Sequence, residues 1–139
     1  MFVRTYTGAV AGIGAVGVTV EVSITGGGAG LFLVGLPDNA VKESHERIVS
    51  ALQVNGYKFP VAQIIVNMAP ADIRKEGSAY DLPLAIGIMA ANGTVAEEKL
   101  GRYMMIGELS LDGTLQPVKG ALPIAIRARE QGFEGLIVP

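Results

Sequence analysis

Apolar and polar residues alternate most cleanly between Val16 and Thr25. Val16, Val18, Val20, Val22 and Ile24 occupy one set of positions, and Gly17, Thr19, Glu21, Ser23 and Thr25 the other. A period of two predicts a strand with its apolar side chains on one face and a polar face opposite. That is the pattern of an antiparallel or mixed sheet covered on one side. Gly26-Gly27-Gly28 predicts a turn, with Leu31-Phe32-Leu33-Val34 as the strand returning from it, and Phe2 to Thr7 reads as a further strand.

The period then lengthens. Pro37-Asp38 offers an N-cap and Asn55-Gly56 a C-cap, and between them Val41, Ile48 and Leu52 form an apolar stripe with His45 on the same side. Lys42–Glu46 and Glu43–Arg47 are opposite charges at four-residue spacing on the outer face. Val61 to Met68 predicts a strand, and Ala69 to Tyr80 a polar loop. Asp81 or Ser78 is expected to cap a helix over Leu82 to Asn92, which is apolar nearly all round and so central and buried. Met104 to Leu111, Asp112-Gly113 and Thr114 to Val118 predict a hairpin with a two-residue primed turn. Gly120 to Gln131 predicts a third helix with Leu122, Ala125 and Ile126 inward, and Gly135 to Val138 a last strand. The expected fold class is α+β (mixed α/β): one domain over residues 1–139, a two-layer mixed sheet with about three helices.

Composition narrows the function. Half the residues are hydrophobic and 17% are charged, which predicts a packed core rather than disorder. No cysteine is present and His45 is the lone histidine, so thiolate or imidazole metal centres are not expected. A net charge of −2 with eleven scattered Lys and Arg residues is a poor footprint for strong autonomous nucleic-acid binding. The start of the chain lacks a basic segment followed by a continuous apolar one, and no run of about 18 apolar residues exists. The expectation is a soluble, cytoplasmic domain without a membrane partner.

Several motifs compete with plainer readings. Gly12-Ile13-Gly14-Ala15-Val16-Gly17 matches a dinucleotide-binding pattern, but that pattern needs a helix after it and a strand follows here. Gly26 to Gly30 suggests a phosphate cradle, yet its flanks are strands and no Lys-Ser or Lys-Thr follows, so a hairpin loop is preferred. His45 reads as a core or boundary residue. Asp72, Glu76, Asp81 and Glu108 read as caps and surface ion pairs. Ser78 and Lys119 are the candidates for chemistry, because a desolvated lysine can take a serine proton. The plain alternative is a helix cap and a solvated lysine.

Three stretches carry a resemblance. They are Gly35-Leu-Pro-Asp-Asn-Ala-Val-Lys-Glu-Ser44, Asn67-Met-Ala-Pro-Ala-Asp-Ile-Arg-Lys-Glu-Gly-Ser-Ala-Tyr-Asp-Leu-Pro-Leu-Ala85, and Gly107-Glu-Leu-Ser-Leu-Asp-Gly-Thr-Leu-Gln-Pro-Val-Lys-Gly120. Together they closely resemble the amino-terminal domain of the magnesium-chelatase-like AAA+ ATPases, the ComM/YifB family. The resemblance implies a βαβ fold like that of a ribosomal protein and the Lon proteolytic domain, and an ATPase module beyond residue 139. It implies ATP and magnesium for that module and none for this chain. It also implies a hexameric ring as homo-oligomer, with DNA engaged through the full-length protein in branch migration during natural transformation.

Set against Lon, Ala79 falls where the nucleophilic serine belongs and Ser78 lies one position early. The Lon lysine falls at Leu122, three residues after Lys119. Ser78 and Lys119 are therefore rejected as a catalytic pair, and the chain is expected to be no enzyme itself. A Lon-like serine–lysine peptidase is kept as the alternative, and a phosphotransferase is a weaker third. Arg74, Lys75, Lys119 and Lys42 are the expected nucleic-acid or partner contacts, and Asp38, Glu43, Asp81 and Glu108 a structural signature.

Overall fold

Strand alternation builds the frame. β1 (Phe2–Ala11) and β2 (Gly14–Thr25) pair antiparallel from Phe2↔Ser23 to Ala11↔Gly14. Gly12-Ile13 is the two-residue loop between them, and Gly12 takes φ 61 there, which suits glycine in a tight hairpin. In this computed structural model, which describes residues 1–139, the Gly12 to Gly17 pattern is therefore a turn entering a strand.

β3 (Gly30–Val34) does not return alongside β2. β4 (Gln63–Ala69) lies between the two, antiparallel to β2 and parallel to β3. Gly26 to Ala29 thus crosses the width of one strand rather than closing a hairpin. A glycine run reverses the chain but does not choose its neighbour. β4 takes the interior place, with Ile64, Val66 and Met68 fully buried, whereas β3 alternates between half-buried and exposed at the sheet edge.

β5 (Tyr103–Met105) and β8 (Gly135–Ile137) complete a mixed sheet of order β3-β4-β2-β1-β5-β8, both running parallel to β1. The expected strand from Met104 to Leu111 is split at Ile106-Gly107. Its second half, β6 (Glu108–Leu109), pairs with β7 (Leu115–Gln116) in a separate ribbon. The turn there is not a two-residue one. Ser110 and Thr114 bracket Leu111-Asp112-Gly113, with Ser110 N–H donating to Thr114 O at 2.8 Å and Gly113 at φ 92, a three-residue loop with glycine in the left-handed position.

The first predicted helix is interrupted at Glu43, giving α1 (Asn39–Lys42) and α2 (Ser44–Val54). Asp38 caps α1 by accepting Val41 N–H at 2.8 Å. α3 (Asp81–Ala91) runs against the sheet and is buried nearly all round. Gly87 makes the close approach possible, since a Cβ there would lie 2.8 Å from Val22 Cγ2. Asp81 is the first helical residue and points into the protein, so neither it nor Ser78 is the helix cap. The main core lies between this face and α2/α3, joining Val18, Val20, Val22, Ile48, Leu84 and Ile88, each worth about 1.5–3 kcal/mol of burial.

α4 (Ala121–Glu130) covers part of the opposite face with a smaller cluster of Met104, Ile106, Ile124 and Ala128. Its phase differs from the expectation. Leu122 is 72% and Ile126 44% exposed, while Ile124 and Ala128 are buried. The sheet decides this, because Gly8 leaves a hollow that seats Ile124 (a Cβ on Gly8 would lie 3.1 Å from Ile124 Cγ2). His45 sits at the core boundary with its ring 5.3 Å from that of Phe59.

Candidate functional site

The loop from Ala69 to Tyr80 enters α3, and backbone geometry fixes it on two sides. On one, Lys75 N–H donates to Leu36 O and Asp38 N–H to Lys75 O, both at 2.9 Å, forming a one-residue parallel bridge at Pro37↔Lys75. On the other, Gly107 N–H donates to Ala79 O at 2.9 Å and Leu82 N–H to Gly107 O at 3.1 Å. Asp38 also accepts Gly77 N–H through Oδ2 at 3.2 Å. The first strap needs an unusual backbone. Gly35 has φ 104 and packs so tightly that a Cβ would lie 2.2 Å from Met68 O, and Leu36, half exposed, has φ 59.

Beneath the loop lies a buried polar hub. Asp81, with no exposed surface, accepts Ser44 Oγ at 2.5 Å, Arg47 Nε at 2.6 Å, Arg47 Nη2 at 3.0 Å and Leu109 N–H at 2.9 Å. Arg47 also donates to Ala40 O at 3.0 Å. The hydrogen bonds to Asp81 hold the Arg47 guanidinium above its ordinary pKa, against the opposing effect of burial. One carboxylate thereby ties α2, α3 and β6 together. This satisfied network positions the loop and leaves Asp81 no free lone pair for chemistry.

Above the loop run three clefts that share walls. One, of about 320 Å³, is bounded by Gly8 to Val10, Arg74, Glu76, Ala79, Tyr80, Lys119 and Ile124. A second, of about 350 Å³, shares Glu76, Ala79 and Lys119 with it and adds Ser78 and Glu108. A third, of about 310 Å³, shares Arg74 and extends to Leu36, Asp38 and Asn39. The result is one groove over the loop, from the start of α1 to the start of α4.

The sequence candidates divide across this groove. Ser78 donates to the Glu108 carboxylate and makes no hydrogen bond to Lys119, although both face the same cleft. Lys119 is exposed and has no ion pair. Arg74 is exposed and paired with Glu76 at 3.1 Å, a surface contact of little energetic weight. Lys42 is exposed on α1, away from the groove walls, and is not paired with Glu46; Glu43 lies 3.9 Å from Arg47 Nη1.

Lys75 is the correction. It is completely buried, its ammonium donating to Gly35 O at 2.7 Å and to Pro70 O. Carbonyls in place of water satisfy it, and burial pulls its pKa below the ordinary lysine value. It staples the loop and cannot meet a phosphate or a partner. The reading of Asp72, Glu76, Asp81 and Glu108 as caps and surface pairs also fails for Asp81, which is interior. No three such carboxylates gather as metal ligands would.

Comparison with known proteins places the chain in a family. The sequence profile for Subunit ChlI of Mg-chelatase matches residues 20–139. The chain belongs to the ChlI family. Among its relatives, Uncharacterized protein YifB of Escherichia coli is 45% identical over 127 residues, 91% of this chain and 25% of that protein. Competence protein ComM of Haemophilus influenzae is 42% identical over 132 residues, 95% of this chain and 26% of that protein. The ChlI chain thus spans about a quarter of the length of these curated relatives. Lon protease 2 of Bacillus subtilis is more distant, 29% identical over 98 residues, 70% of this chain and 17% of that protein.

Two groove features of this ChlI chain were not legible beforehand. Tyr80 is 3% exposed, contributes to the cleft wall and makes no hydrogen bond through its hydroxyl. Burial, with the nearby charges of Asp38 and Glu76, pushes its pKa up to about 12. An aromatic residue within a polar loop was the available signal. The free margin of β1 at Gly8 to Val10 was hidden because sequence patterning does not say where one strand outruns its neighbour.

Proposed function

We propose that the chain is the non-catalytic amino-terminal domain of a ring-forming, Mg-chelatase-like AAA+ ATPase, aiding assembly or DNA engagement in a branch-migration helicase. The observation that carries this reading is the state of the one serine in the groove. Ser78 Oγ donates to Glu108 and makes no hydrogen bond to Lys119, so the serine–lysine pairing is not formed, and Ala79 occupies the next position at the turn into α3. Fold likeness to a protease transmits no activity, because chemistry resides in the site. The match to about a quarter of each longer relative supports a larger parent, and the Haemophilus relative is a competence protein.

On this proposal the parent is cytoplasmic and hexameric, and its ATPase module holds ATP and magnesium. This chain supplies exposed cations, Arg74, Lys119 and Lys42, that a ring repeats around one axis. One subunit with so few cations binds phosphate weakly, whereas six copies add through multivalency. The test is single-strand DNA binding against salt by the full-length ring and by an Arg74→Ala/Lys119→Ala/Lys42→Ala variant. We expect a weaker complex and a shallower salt slope; equal affinity with equal slope removes these residues from DNA contact.

The peptidase reading keeps one observation in its favour, since Ser78 and Lys119 line the same cleft. Casein cleavage by the full-length protein, compared with its Ser78→Ala variant, separates the two. The expected result is no cleavage by either; cleavage abolished by Ser78→Ala establishes the peptidase.

A further inference from the structure

The groove has a sheet margin as one of its walls. β1 pairs with β2 along its whole length, but on its other side β5 meets it only at Tyr6↔Met104. In a hairpin closed by a two-residue loop the closing pair, here Ala11↔Gly14, exchanges both hydrogen bonds. Alternate residues Gly8 and Val10 therefore turn their N–H and C=O groups away from β2. They turn toward the cleft, which Gly8, Ala9 and Val10 line. No loop hydrogen bond reaches Val10. Unpaired backbone donors and acceptors along a strand margin are a template on which another strand can pair.

Two side-chain groups stand beside that margin without partners of their own. Gly120, at φ 90, lies so close to β1 that a Cβ would come 2.4 Å from Val10 Cγ2, and this seats Lys119 at the open strand. Lys119 carries the cleft's unpaired positive charge, because Arg74 is engaged by Glu76. Tyr80, nearly wholly buried in the same wall, offers an unbonded hydroxyl.

We infer that this groove binds an extended polypeptide segment, added as a strand to the margin of β1 from Gly8 to Val10 that lines the cleft, with an acidic side chain of the segment held by Lys119 and Tyr80. A strand supplies the alternating donors and acceptors that an unpaired sheet edge lacks, while side-chain contacts supply selectivity. A nucleic-acid backbone fits the walls less well. In the cleft that β1 lines, Arg74 is taken up by Glu76, which leaves Lys119 as the one unpaired cation, too little positive charge for a run of phosphates. The neutral phenol of Tyr80 is a donor toward a carboxylate. Nothing cleaves the bound segment on the non-catalytic reading, so the site is one of docking. The inference competes with DNA contact through Lys119 and is compatible with DNA contact by the parent ring at residues outside this cleft.

The probe is a fluorescein-labelled peptide of alternating Thr and Val with one central Asp, about nine residues long, titrated with the chain by anisotropy. We expect saturable binding that weakens about tenfold or more in Lys119→Gln, the loss for one charged hydrogen bond. Two backbone analogues decide the binding mode, one N-methylated at odd and the other at even positions. A strand added at an edge uses one set of N–H groups, so one analogue should bind and the other fail. No binding of the parent peptide, or both analogues binding alike, overturns the proposal. Displacement of the peptide by oligo-dT overturns it too, making the groove a phosphate site and favouring the DNA reading. Lack of displacement leaves the peptide site standing whatever the full-length ring does with DNA.

Discussion

Asp81 accepts four hydrogen bonds without any exposed surface, so its replacement tests how far one buried carboxylate organises the loop above it. An asparagine of the same shape keeps one acceptor oxygen and turns donors toward either Arg47 or Leu109 N–H. Arg47 is then left largely uncompensated, and breaking a buried pair in this way costs about 3–5 kcal/mol. Asp81→Asn should therefore lose that much in urea denaturation, against about 1 kcal/mol for Ser44→Ala, which removes a single partner. Equal losses would mean that Arg47 finds another acceptor. Tyr80 gives a pH dependence. Its folded pKa, about 12, lies above the unfolded value near 10, so the neutral phenol is the form that folding favours. The sign follows: the contribution is complete below pH 10 and is lost as pH rises toward 12, amounting to about 2–3 kcal/mol. Lys75, with its pKa lowered by burial, acts in the opposite direction, so the difference between wild type and Tyr80→Phe isolates the phenol. The alkaline loss between pH 9.5 and pH 11.5 should be smaller in Tyr80→Phe by about 1.5–2 kcal/mol; an identical loss in both would place the titration elsewhere. Neither residue's role was visible in the sequence. Asp81 looked like a cap because an acidic residue opening a helix usually is one, and Lys75 looked solvated because buried lysines are rare. Composition cannot reveal that carbonyls of Gly35 and Pro70 await an ammonium.

Among the elements, periodicity located nearly every strand and helix but not how they pair. The alternation of Val16 to Ile24 and the apolar surface of α3 each follow from burial of the segment itself, and both sit where patterning puts them. Partner choice depends on competition between segments. β4 takes the interior position beside β2 and β3 the edge, although Leu31 to Val34 are all apolar, and nothing local to Gly26-Gly27-Gly28 encodes that order. The phase of α4 failed for a related reason: Leu122, Ile124 and Ile126 are equally apolar, and only the hollow left by Gly8 on another strand selects Ile124. The connection from β3 to α1 holds the least expected backbone. Leu36 is a non-glycine residue at φ 59 whose side chain is 53% exposed. A left-handed conformation costs a side-chain-bearing residue roughly 1–2 kcal/mol, partly offset by the entropy that glycine adds to the unfolded chain. Leu36→Gly should accordingly leave stability unchanged or raise it by up to about 1 kcal/mol. A thermal melt checks this, and a clear loss would show that the half-exposed leucine packs more than it strains. Gly35→Ala is the opposite case, since its Cβ would meet Met68 O at 2.2 Å and the strap to Lys75 would have to move.

The molecule as a whole is lopsided. Nineteen buried residues form the core under α2 and α3, and four form the cluster under α4. The half that contains β5, β8 and α4 shares only one register pair with β1, Tyr6↔Met104, has a single three-residue ladder between β5 and β8, and otherwise joins the rest by packing α4 on β1 and β2. Local opening energies follow buried apolar contact and ladder length, so this half should open without the other. Native-state hydrogen exchange should then resolve two tiers, with amides of Met104, Ile124 and Leu136 exchanging at lower free energy than those of Val20, Val66 and Leu84. Ile124→Ala deepens the contrast. Its methyl groups are the ones that fill the Gly8 hollow, and removing them costs about 2–4 kcal/mol. That loss should fall on the α4 half first, lowering protection of Met104 and Leu136 while leaving Val20 and Val66 near their original values until global unfolding takes over. The same half supplies Lys119 and one wall of the groove, so an independently opening α4 would also widen the margin of β1 that the proposed peptide must reach. Uniform protection across both halves, or a loss in Ile124→Ala spread evenly over Val20, Val66 and Leu136, would instead make the sheet one cooperative unit and the groove a rigid one.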